Sequence, residues 1–562
     1  MEDRINSGAL TARPDRSWIF LALVIIAVAM IRVHLLDLPL ERDEGEYAYA
    51  GSLLLKGIPP YIHAYNMKLP GIYAAYAVII GVFGNTHTGV HAGLIVVNII
   101  TVVLLFFLGK KILTPLAGTM AGAAFAVLSL NVDVLGPMAN AEHFVILFAV
   151  AGLLALVHGL EPGGKRRLFL SGILLGTGVM MKQHGVFYVL FASIYLLWSF
   201  YAGALFDLKE TLRAGAAFVA GTALPFAATC LVLYLAGAFT NFWFWTFTYA
   251  GEYVSQVPLW NGVMLFKRNF SLILRSSLPV WIMTAVGIGS LALKKNSINR
   301  TVFLLGLLFL SFLSTAPGLF FRPHYFVLTL PAVALLAGAG IDYLSGFPPE
   351  HLKPARASVK PAIAIFLASV TVAITIYQDR ATFFLKDPVQ ISRTIYGPNP
   401  FPESIAVAEY IKANSNPDDY IAVLGSEPQI YFYSGRPSAT GYIYMYPLTE
   451  DQRYAPEMQK GLIKDIVTKK PLFITFVRIP TSWLLKPGSD KEIFKWFKVY
   501  AARHYEKVGV IDIYKDATDY FWDEEARGRI PGTQNSVIVF KRRSLEKGRE
   551  TSPFYKGPVK AM

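Results

Sequence analysis

The sequence PLERDEGEYAYAGSLLLKGIPPYIHAYNMKLPG, residues 39–71, decides the fold prediction because it differs so sharply from the apolar segments around it. It gathers five charged side chains within six positions: Glu41, Arg42, Asp43, Glu44 and Glu46. Charged groups beside a membrane are costly unless they face water or form a site. This stretch is therefore the first place where a functional loop is expected.

The composition indicates a membrane protein. The chain has 562 residues, of which 54% are hydrophobic and 16% are charged, and its mean hydropathy is +0.44. Soluble proteins typically have about 25% charged residues. The net charge of +14 would suggest a nucleic-acid partner in a soluble protein, but much of it lies in short loops between apolar runs. We therefore predict a mainly α-helical polytopic membrane protein with no nucleic-acid partner.

Charged loops fix the predicted topology. Eleven membrane-spanning segments are predicted, at 17–36, 90–108, 113–130, 143–160, 168–182, 186–204, 214–238, 276–293, 301–318, 324–345 and 361–378. With a cytoplasmic N-terminus, every inner loop is basic, as the positive-inside rule requires. Counting Leu69–Phe83 as a further span would invert all later loops. We therefore predict an interfacial or re-entrant helix there, inside an external loop over 37–89.

The remaining chain divides at residue 379. Residues 1–379 are predicted to form the transmembrane domain, with a further aromatic-rich outer loop over 240–275. Residues 380–543 are predicted to form a soluble, extracytoplasmic α/β domain, and residues 544–562 a disordered tail. The predicted strands are 420–425, 430–433, 471–477, 508–514 and 536–541. The predicted helices are 401–412, 456–469 and 491–504.

Three motifs of the first loop resemble a known family. They are Asp-Glu-x-x-Tyr-Ala, Lys-Gly-x-x-Pro-Tyr and Lys-x-Pro-Gly, formed by Asp43, Glu44, Tyr47, Ala48, Lys56, Gly57, Pro60, Tyr61, Lys68, Pro70 and Gly71. They resemble the first external loop of the protein O-mannosyltransferase and aminoarabinose transferase group, which has the C-type glycosyltransferase fold. The resemblance covers 17–378 in topology. Outside 37–71 it rests on three shorter matches: Asn140-x-Glu142, Lys182-Gln183 and His324-Tyr325.

This resemblance implies the transfer of a sugar from a polyprenyl-phosphate donor to a hydroxyl of a protein, lipid or glycan, with inversion of the anomeric centre. It implies a first-loop carboxylate as the general base, with Asp43 expected and Glu44 as the alternative. A base must lie within hydrogen-bond reach of the acceptor hydroxyl, and cations must stabilise the phosphate. The expected cations are Lys68, Lys182, Arg322 and His324, followed by Arg268 and Arg275.

Several assignments stay open at this point. Lys68 could instead be an interfacial residue with its charge in water. Arg32 could pair with Asp43 or Asp37, whereas Tyr47 extends the polar cluster. Asp133 and Glu142 could contact the acceptor or a metal. Asp43, Glu44 and Glu46 could together hold Mg²⁺ or Mn²⁺ through oxygen ligands, without requiring it.

The alternative function is a transporter or flippase of a lipid-linked substrate. Such a protein should carry charges and broken helices at mid-span. Here the charges concentrate at the predicted outer edge, which favours an enzyme of the cell (inner) membrane that acts outside the cytoplasm.

Overall fold

The computed structural model describes residues 17–202, 208–254, 257–293, 298–347 and 356–543. The predicted disordered tail, 544–562, lies outside the described residues. So do the N-terminal residues 1–16 and three lysines of the predicted inner loops, Lys294, Lys295 and Lys353.

The described residues up to Gln378 form a helical region. Its α-helices are α1 Ser17–His34, α2 Arg42–Leu55, α3 Gly71–Phe83, α4 His87–Ile112, α5 Pro115–Leu128, α6 Ala141–Gly159, α7 Lys165–Met181, α8 Val186–Tyr201, α9 Leu208–Leu235, α10 Phe239–Trp243, α11 Ala250–Val254, α12 Leu259–Ser276, α13 Leu278–Leu293, α14 Ile298–Leu313, α15 Leu330–Leu344 and α16 Arg356–Gln378. A π-helical turn joins α10 to α11 at Phe244–Tyr249, and 3₁₀ turns lie at Val132–Val134, Gln183–Gly185, Pro317–Leu319 and Pro323–Thr329.

The predicted polytopic helical architecture is confirmed. Seven helical segments of the described chain are long and apolar enough to cross a membrane, and a bent pair adds an eighth if it is one span. Each of the eleven predicted segments coincides with a helix. Helices α5 and α14, however, have only 14 and 16 residues. The number of crossings therefore stays a prediction.

The first loop forms two helices that pack together. Helix α2 begins with a capping box, in which the Glu41 side chain accepts from the Glu44 N–H and the Glu44 side chain accepts from the Glu41 N–H. Helix α3 has 13 residues, which at 1.5 Å per residue is too short to cross a bilayer, and its place at the membrane interface stays a prediction. A Cβ atom at Gly51 would lie 2.9 Å from the Ala77 nitrogen, so glycine permits the close approach of α2 and α3.

Helices α10, α11 and α12 and the π-helical turn occupy much of the predicted aromatic-rich outer loop at 240–275, whose side of the membrane stays a prediction. Helix α12 meets the apolar helix α13 at 96°.

The C-terminal domain contains a five-stranded sheet. Its strands are β1 Ile421–Leu424, β2 Phe473–Arg478, β3 Tyr505–Ile513, β4 Thr518–Trp522 and β5 Ser536–Arg542, in the order β1-β2-β5-β3-β4. Strands β1 and β2 are parallel and the other neighbours are antiparallel. The α-helices are α17 Arg380–Phe384, α18 Pro388–Tyr396, α19 Phe401–Ala413, α20 Gln429–Ser434, α21 Tyr446–Thr449, α22 Ala455–Lys469, α23 Pro480–Trp483 and α24 Glu492–His504, with a 3₁₀ turn at Asp523–Glu525.

One predicted strand of this domain is wrong. Residues 430–433 lie in helix α20, which begins after Pro428 and ends at Gly435. Gly435 has a φ of 66°, the left-handed conformation that commonly ends a helix. Strand β4 was not predicted. The other four predicted strands and the three predicted helices coincide with observed elements.

The C-terminal domain packs directly on α2. A Cβ atom at Gly45 would lie 2.6 Å from the Cβ of Gln429 in α20, so glycine permits this contact. The Ser438 N–H donates to the Tyr49 hydroxyl at 2.9 Å, and the Leu40 N–H donates to the Tyr433 hydroxyl at 2.8 Å. The domain therefore covers the acidic end of the first loop.

Candidate active site

A cavity of about 480 Å³ lies where the first loop meets the C-terminal domain. The first loop contributes Asp43 and Lys68, and the segment between α7 and α8 contributes Lys182. The turn before α15 contributes Arg322 and His324. The base and the four cations expected first from the sequence thus line one cavity. Neither Arg268 nor Arg275 is among its lining residues.

Asp43 is the first-loop carboxylate that faces this cavity most openly. Its Oδ2 lies 3.1 Å from Lys68 Nζ, and its Oδ1 accepts a hydrogen bond of 2.9 Å from the Tyr444 hydroxyl. Its side chain remains 24% exposed. Burial raises the pKa of Asp43, but the nearby Lys68, His324 and Lys182, in that order, outweigh burial and hold that pKa well below its usual value. Asp43 is therefore ionised and accessible.

Glu44 points away from the cavity. Its side chain is fully buried, and its Oε1 accepts from the Ala139 N–H at 2.6 Å and lies 3.0 Å from His91 Nε2. Its Oε2 accepts from the Glu41 N–H at 3.0 Å. Glu44 thereby joins the start of α2 to the segment before α6. In this position it supports the loop and has no open face for a substrate.

Lys68 links Asp43 to a buried polar group. Its Nζ donates to the Tyr47 hydroxyl at 2.8 Å and lies 3.9 Å from Glu46 Oε2. Glu46 Oε1 accepts from Tyr73 at 2.6 Å. Burial lowers the pKa of Lys68, but the pull of Asp43 and Glu46 is larger and raises it overall. Burial raises the pKa of Glu46 to about 7, against the opposing effect of Lys68.

Lys182 carries a second buried charge to the cavity wall. Its Nζ donates to Glu142 Oε1 at 2.5 Å, and it lies 4.4 Å from the centre of the Tyr325 ring. The Glu142 side chain is 1% exposed, and His324 Nε2 lies 3.9 Å from its Oε1. Glu142 therefore holds Lys182 in place and lies beside His324, and it is not itself a cavity residue.

Two predicted site residues lie elsewhere. Arg32 pairs with neither Asp43 nor Asp37, because it donates to the carbonyl oxygens of Ser129 at 2.5 Å and Gly136 at 3.2 Å. It thereby fixes the segment between α5 and α6. Asp133 lies outside the cavity, near Asp379, whose pKa is raised to about 6 by burial and by Asp133.

The C-terminal domain supplies cavity residues that the sequence reasoning missed. Arg42 at the start of α2 donates to Glu427 at 2.8 Å and to Asn399 at 3.1 Å. Its guanidinium also lies 5.6 Å from the centre of the Tyr446 ring. Tyr444 completes the contact at Asp43. The clearest sequence signal for these cavity residues is the density of tyrosines in GYIYMYP, residues 441–447.

The three carboxylates predicted as metal ligands, Asp43, Glu44 and Glu46, do not fit a divalent cation. Asp43 pairs with Lys68, both oxygens of Glu44 accept internal hydrogen bonds, and Glu46 accepts from Tyr73. Among the described residues, no three His, Cys, Asp or Glu side chains are grouped as metal ligands. Mg²⁺ or Mn²⁺ dependence stays a prediction.

Part of the chain matches a known protein family in sequence. Residues 68–227 match the family described as dolichyl-phosphate-mannose-protein mannosyltransferase. No curated protein sequence matches the chain.

Solved structures match over most of the chain. ArnT from Cupriavidus metallidurans bound to undecaprenyl phosphate is similar with a TM-score of 0.59 and 13% identity, over 93% of this chain and 97% of that one. Its apo state matches with a TM-score of 0.56, 13% identity and the same coverage. The Archaeoglobus fulgidus oligosaccharyltransferase tethered with an acceptor peptide matches with a TM-score of 0.50 and 12% identity, over 91% of this chain and 74% of that one.

These identities are low, so the likeness concerns the fold. It agrees with the sequence motifs of the first loop and with the family match at 68–227. This chain is a membrane protein with the fold of the C-type glycosyltransferases.

Proposed function

We propose that this chain is a glycosyltransferase that moves a sugar from a polyprenyl-phosphate donor to an acceptor hydroxyl, with Asp43 as the general base. The observation that carries the proposal is the accessible carboxylate of Asp43 in the same cavity as Lys68, Lys182 and Arg322. The similarity to ArnT bound to undecaprenyl phosphate supports a lipid-phosphate donor.

The reaction that fits this arrangement is an inverting displacement. The acceptor O–H proton passes to Asp43 while the acceptor oxygen bonds to the anomeric carbon. The bond between that carbon and the donor phosphate breaks, and its electron pair stays on the phosphate oxygen. The products are the glycosylated acceptor and polyprenyl phosphate, and Asp43 then releases its proton to water.

The cations act on the phosphate. Negative charge grows on the leaving phosphate as the bond breaks, and fixed cations in a partly dry site stabilise it. We assign this role to Lys68, Lys182 and Arg322, with His324 beside them. When the donor binds, Lys68 leaves Asp43 and pairs with the phosphate. Asp43 is then able to accept a proton.

Lys68→Met is expected to weaken the binding of polyprenyl phosphate by about 10- to 100-fold, since a hydrogen bond to a charged group contributes about 1.5–3 kcal/mol. Binding is measured on detergent-purified protein by calorimetry. The control is Lys56→Met, because Lys56 is exposed at the end of α2 and outside the cavity. Equal dissociation constants for Lys68→Met and the wild type would remove Lys68 from the phosphate site.

We also propose that the protein lies in the cell (inner) membrane. Its cavity opens on the side of that membrane away from the cytoplasm. The basic inner loops support this orientation. An alkaline phosphatase reporter fused after Thr382 is therefore expected to be active, since this enzyme needs an oxidising compartment. The paired test is a fluorescent protein fused at the same site. This reporter should not fluoresce, because it is exported unfolded. The opposite pattern would reverse the orientation.

The transfer reaction is tested with purified protein in lipid vesicles. Vesicles receive a panel of polyprenyl-phosphate sugars with a labelled sugar, together with a membrane extract as the source of acceptors. We expect labelled product and an equal amount of released polyprenyl phosphate. Absence of transfer from every donor, together with donor movement between the two leaflets, would instead establish the flippase.

A further inference from the structure

The C-terminal domain places one hydroxyl group directly on the proposed base. The Tyr444 hydroxyl donates to Asp43 Oδ1 at 2.9 Å, across 401 residues of sequence. The Tyr444 side chain is buried, with 6% exposure. Burial and the nearby Asp43 raise the pKa of Tyr444 well above its usual value, so the phenol keeps the proton that it donates.

The segment that carries Tyr444 is held firmly in place. The Met445 N–H donates to the Ser426 hydroxyl at 2.9 Å, and the Ser426 N–H donates to the Ser482 hydroxyl at 2.8 Å. The Tyr446 ring lies 5.5 Å from the Tyr444 ring. Tyr444 is therefore a fixed hydrogen-bond donor and not a flexible surface side chain.

Asp43 consequently has a different partner on each oxygen. Lys68 lies at Oδ2, on the first loop, and Tyr444 lies at Oδ1, on the C-terminal domain. Rotation of a carboxylate about its Cβ–Cγ bond has broad minima, so a carboxylate without a hydrogen-bond partner is poorly oriented. When Lys68 turns to the donor phosphate, Oδ2 opens to the acceptor, and the hydrogen bond to Tyr444 is what still fixes the plane of the carboxylate.

We propose that Tyr444 is a positioning residue, which holds Oδ1 so that Oδ2 faces the acceptor hydroxyl during transfer. This inference rests on the proposed transferase function. It makes the C-terminal domain a working part of the active site, although the domain contributes none of the atoms that react.

The same hydrogen bond affects the acidity of Asp43. A donor to the charged form of a carboxylate lowers its pKa, so removal of the Tyr444 hydroxyl raises the pKa of Asp43. Asp43 acts as a base when ionised, so activity is lost as the pH falls through that pKa. The acidic limb of the pH–rate profile should therefore move to higher pH. The other charged and titratable groups that interact with Asp43 are Glu41, Glu46, Lys68, Lys182, His324, Tyr47, Tyr73, Tyr76, Tyr325, Tyr396 and Tyr446.

The experiment compares Tyr444→Phe with Tyr442→Phe, both in the full-length protein. Tyr442 lies two residues away and packs on Tyr65 and Trp245 outside the cavity. For Tyr444→Phe we expect kcat to fall about 10- to 100-fold, as the loss of one hydrogen bond to a charged group predicts, with an unchanged affinity for polyprenyl phosphate. The acidic limb should move to higher pH in Tyr444→Phe, whereas Tyr442→Phe should match the wild type.

The outcomes separate this inference from the proposed function. If the wild type transfers sugar and Tyr444→Phe has the same kcat and pH profile, the role of Tyr444 is refuted and the transferase stands. A lower kcat with an unmoved acidic limb would likewise reduce Tyr444 to a structural residue. If the wild type transfers no sugar from any donor, both proposals are refuted together.

Discussion

Asp43→Asn is expected to lower sugar transfer by about 10²- to 10⁴-fold, which is the usual contribution of a general base. Asparagine has nearly the same size as aspartate but cannot take the proton of the acceptor hydroxyl. The substitution can still keep a hydrogen bond from Tyr444, and Lys68 keeps its contacts with Tyr47 and Glu46. The loss should therefore appear in the rate of transfer, measured at saturating donor, and not in folding.

Asp37→Asn is the matched control for this result. Asp37 precedes the same loop, but its side chain is 73% exposed, and it contacts Thr88 and lies 4.0 Å from His87. This variant should transfer sugar at the rate of the wild type. Undiminished transfer by Asp43→Asn would contradict the assignment of the base. In that event Glu44→Gln becomes the next variant to measure, although Glu44 has no open face in the structure.

Lys182→Met is expected to give the largest loss of stability, about 3–5 kcal/mol, because it leaves the buried Glu142 without its cationic partner. Both side chains of the pair are buried, with 8% and 1% exposure. Replacing both partners with apolar residues removes the unpaired charge. The double variant Lys182→Met/Glu142→Leu should therefore regain most of the lost stability, measured as the melting temperature in detergent. This double variant should bind polyprenyl phosphate less tightly than the wild type, because the Lys182 cation is absent.

Lys165→Met controls for the loss of any lysine in an ion pair. Lys165 pairs with Glu210 at 2.6 Å, but both side chains are nearly half exposed. Exposed pairs contribute little to stability, so this melting temperature should match that of the wild type. A double variant that melts as low as Lys182→Met would show that packing, and not the unpaired charge, is responsible.

The sequence predicted those features that depend on local pattern. Long apolar runs and basic loops predicted the helical membrane architecture. The short apolar stretch after Lys68 predicted a helix too short to cross, and α3 has 13 residues. Local pattern could not distinguish Asp43 from Glu44. Consecutive residues of a helix point about 100° apart, so only packing decides which carboxylate meets the cavity.

The sequence could not predict contacts between distant segments. Arg32 has a carboxylate-rich loop nearby in sequence, yet it donates to carbonyl groups about 100 residues away, at Ser129 and Gly136. The part of the site formed by the C-terminal domain was missed for the same reason. Tyr444 reads in sequence as one of several tyrosines in a soluble domain, and only the packing of that domain on α2 brings it to Asp43.

The packing of the C-terminal domain on α2 also sets the order of events during synthesis. Arg42 and Glu427 are separated by 385 residues. At a translation rate of about 5–20 residues per second, roughly 20–80 s pass between the synthesis of one partner and the other. Throughout that interval the ribosome-bound chain has its first helices but lacks Glu427 and Tyr444. A growing chain with the proposed activity therefore matures only after its last domain has been made and has docked, so premature termination before β1 leaves a membrane protein with an incomplete site.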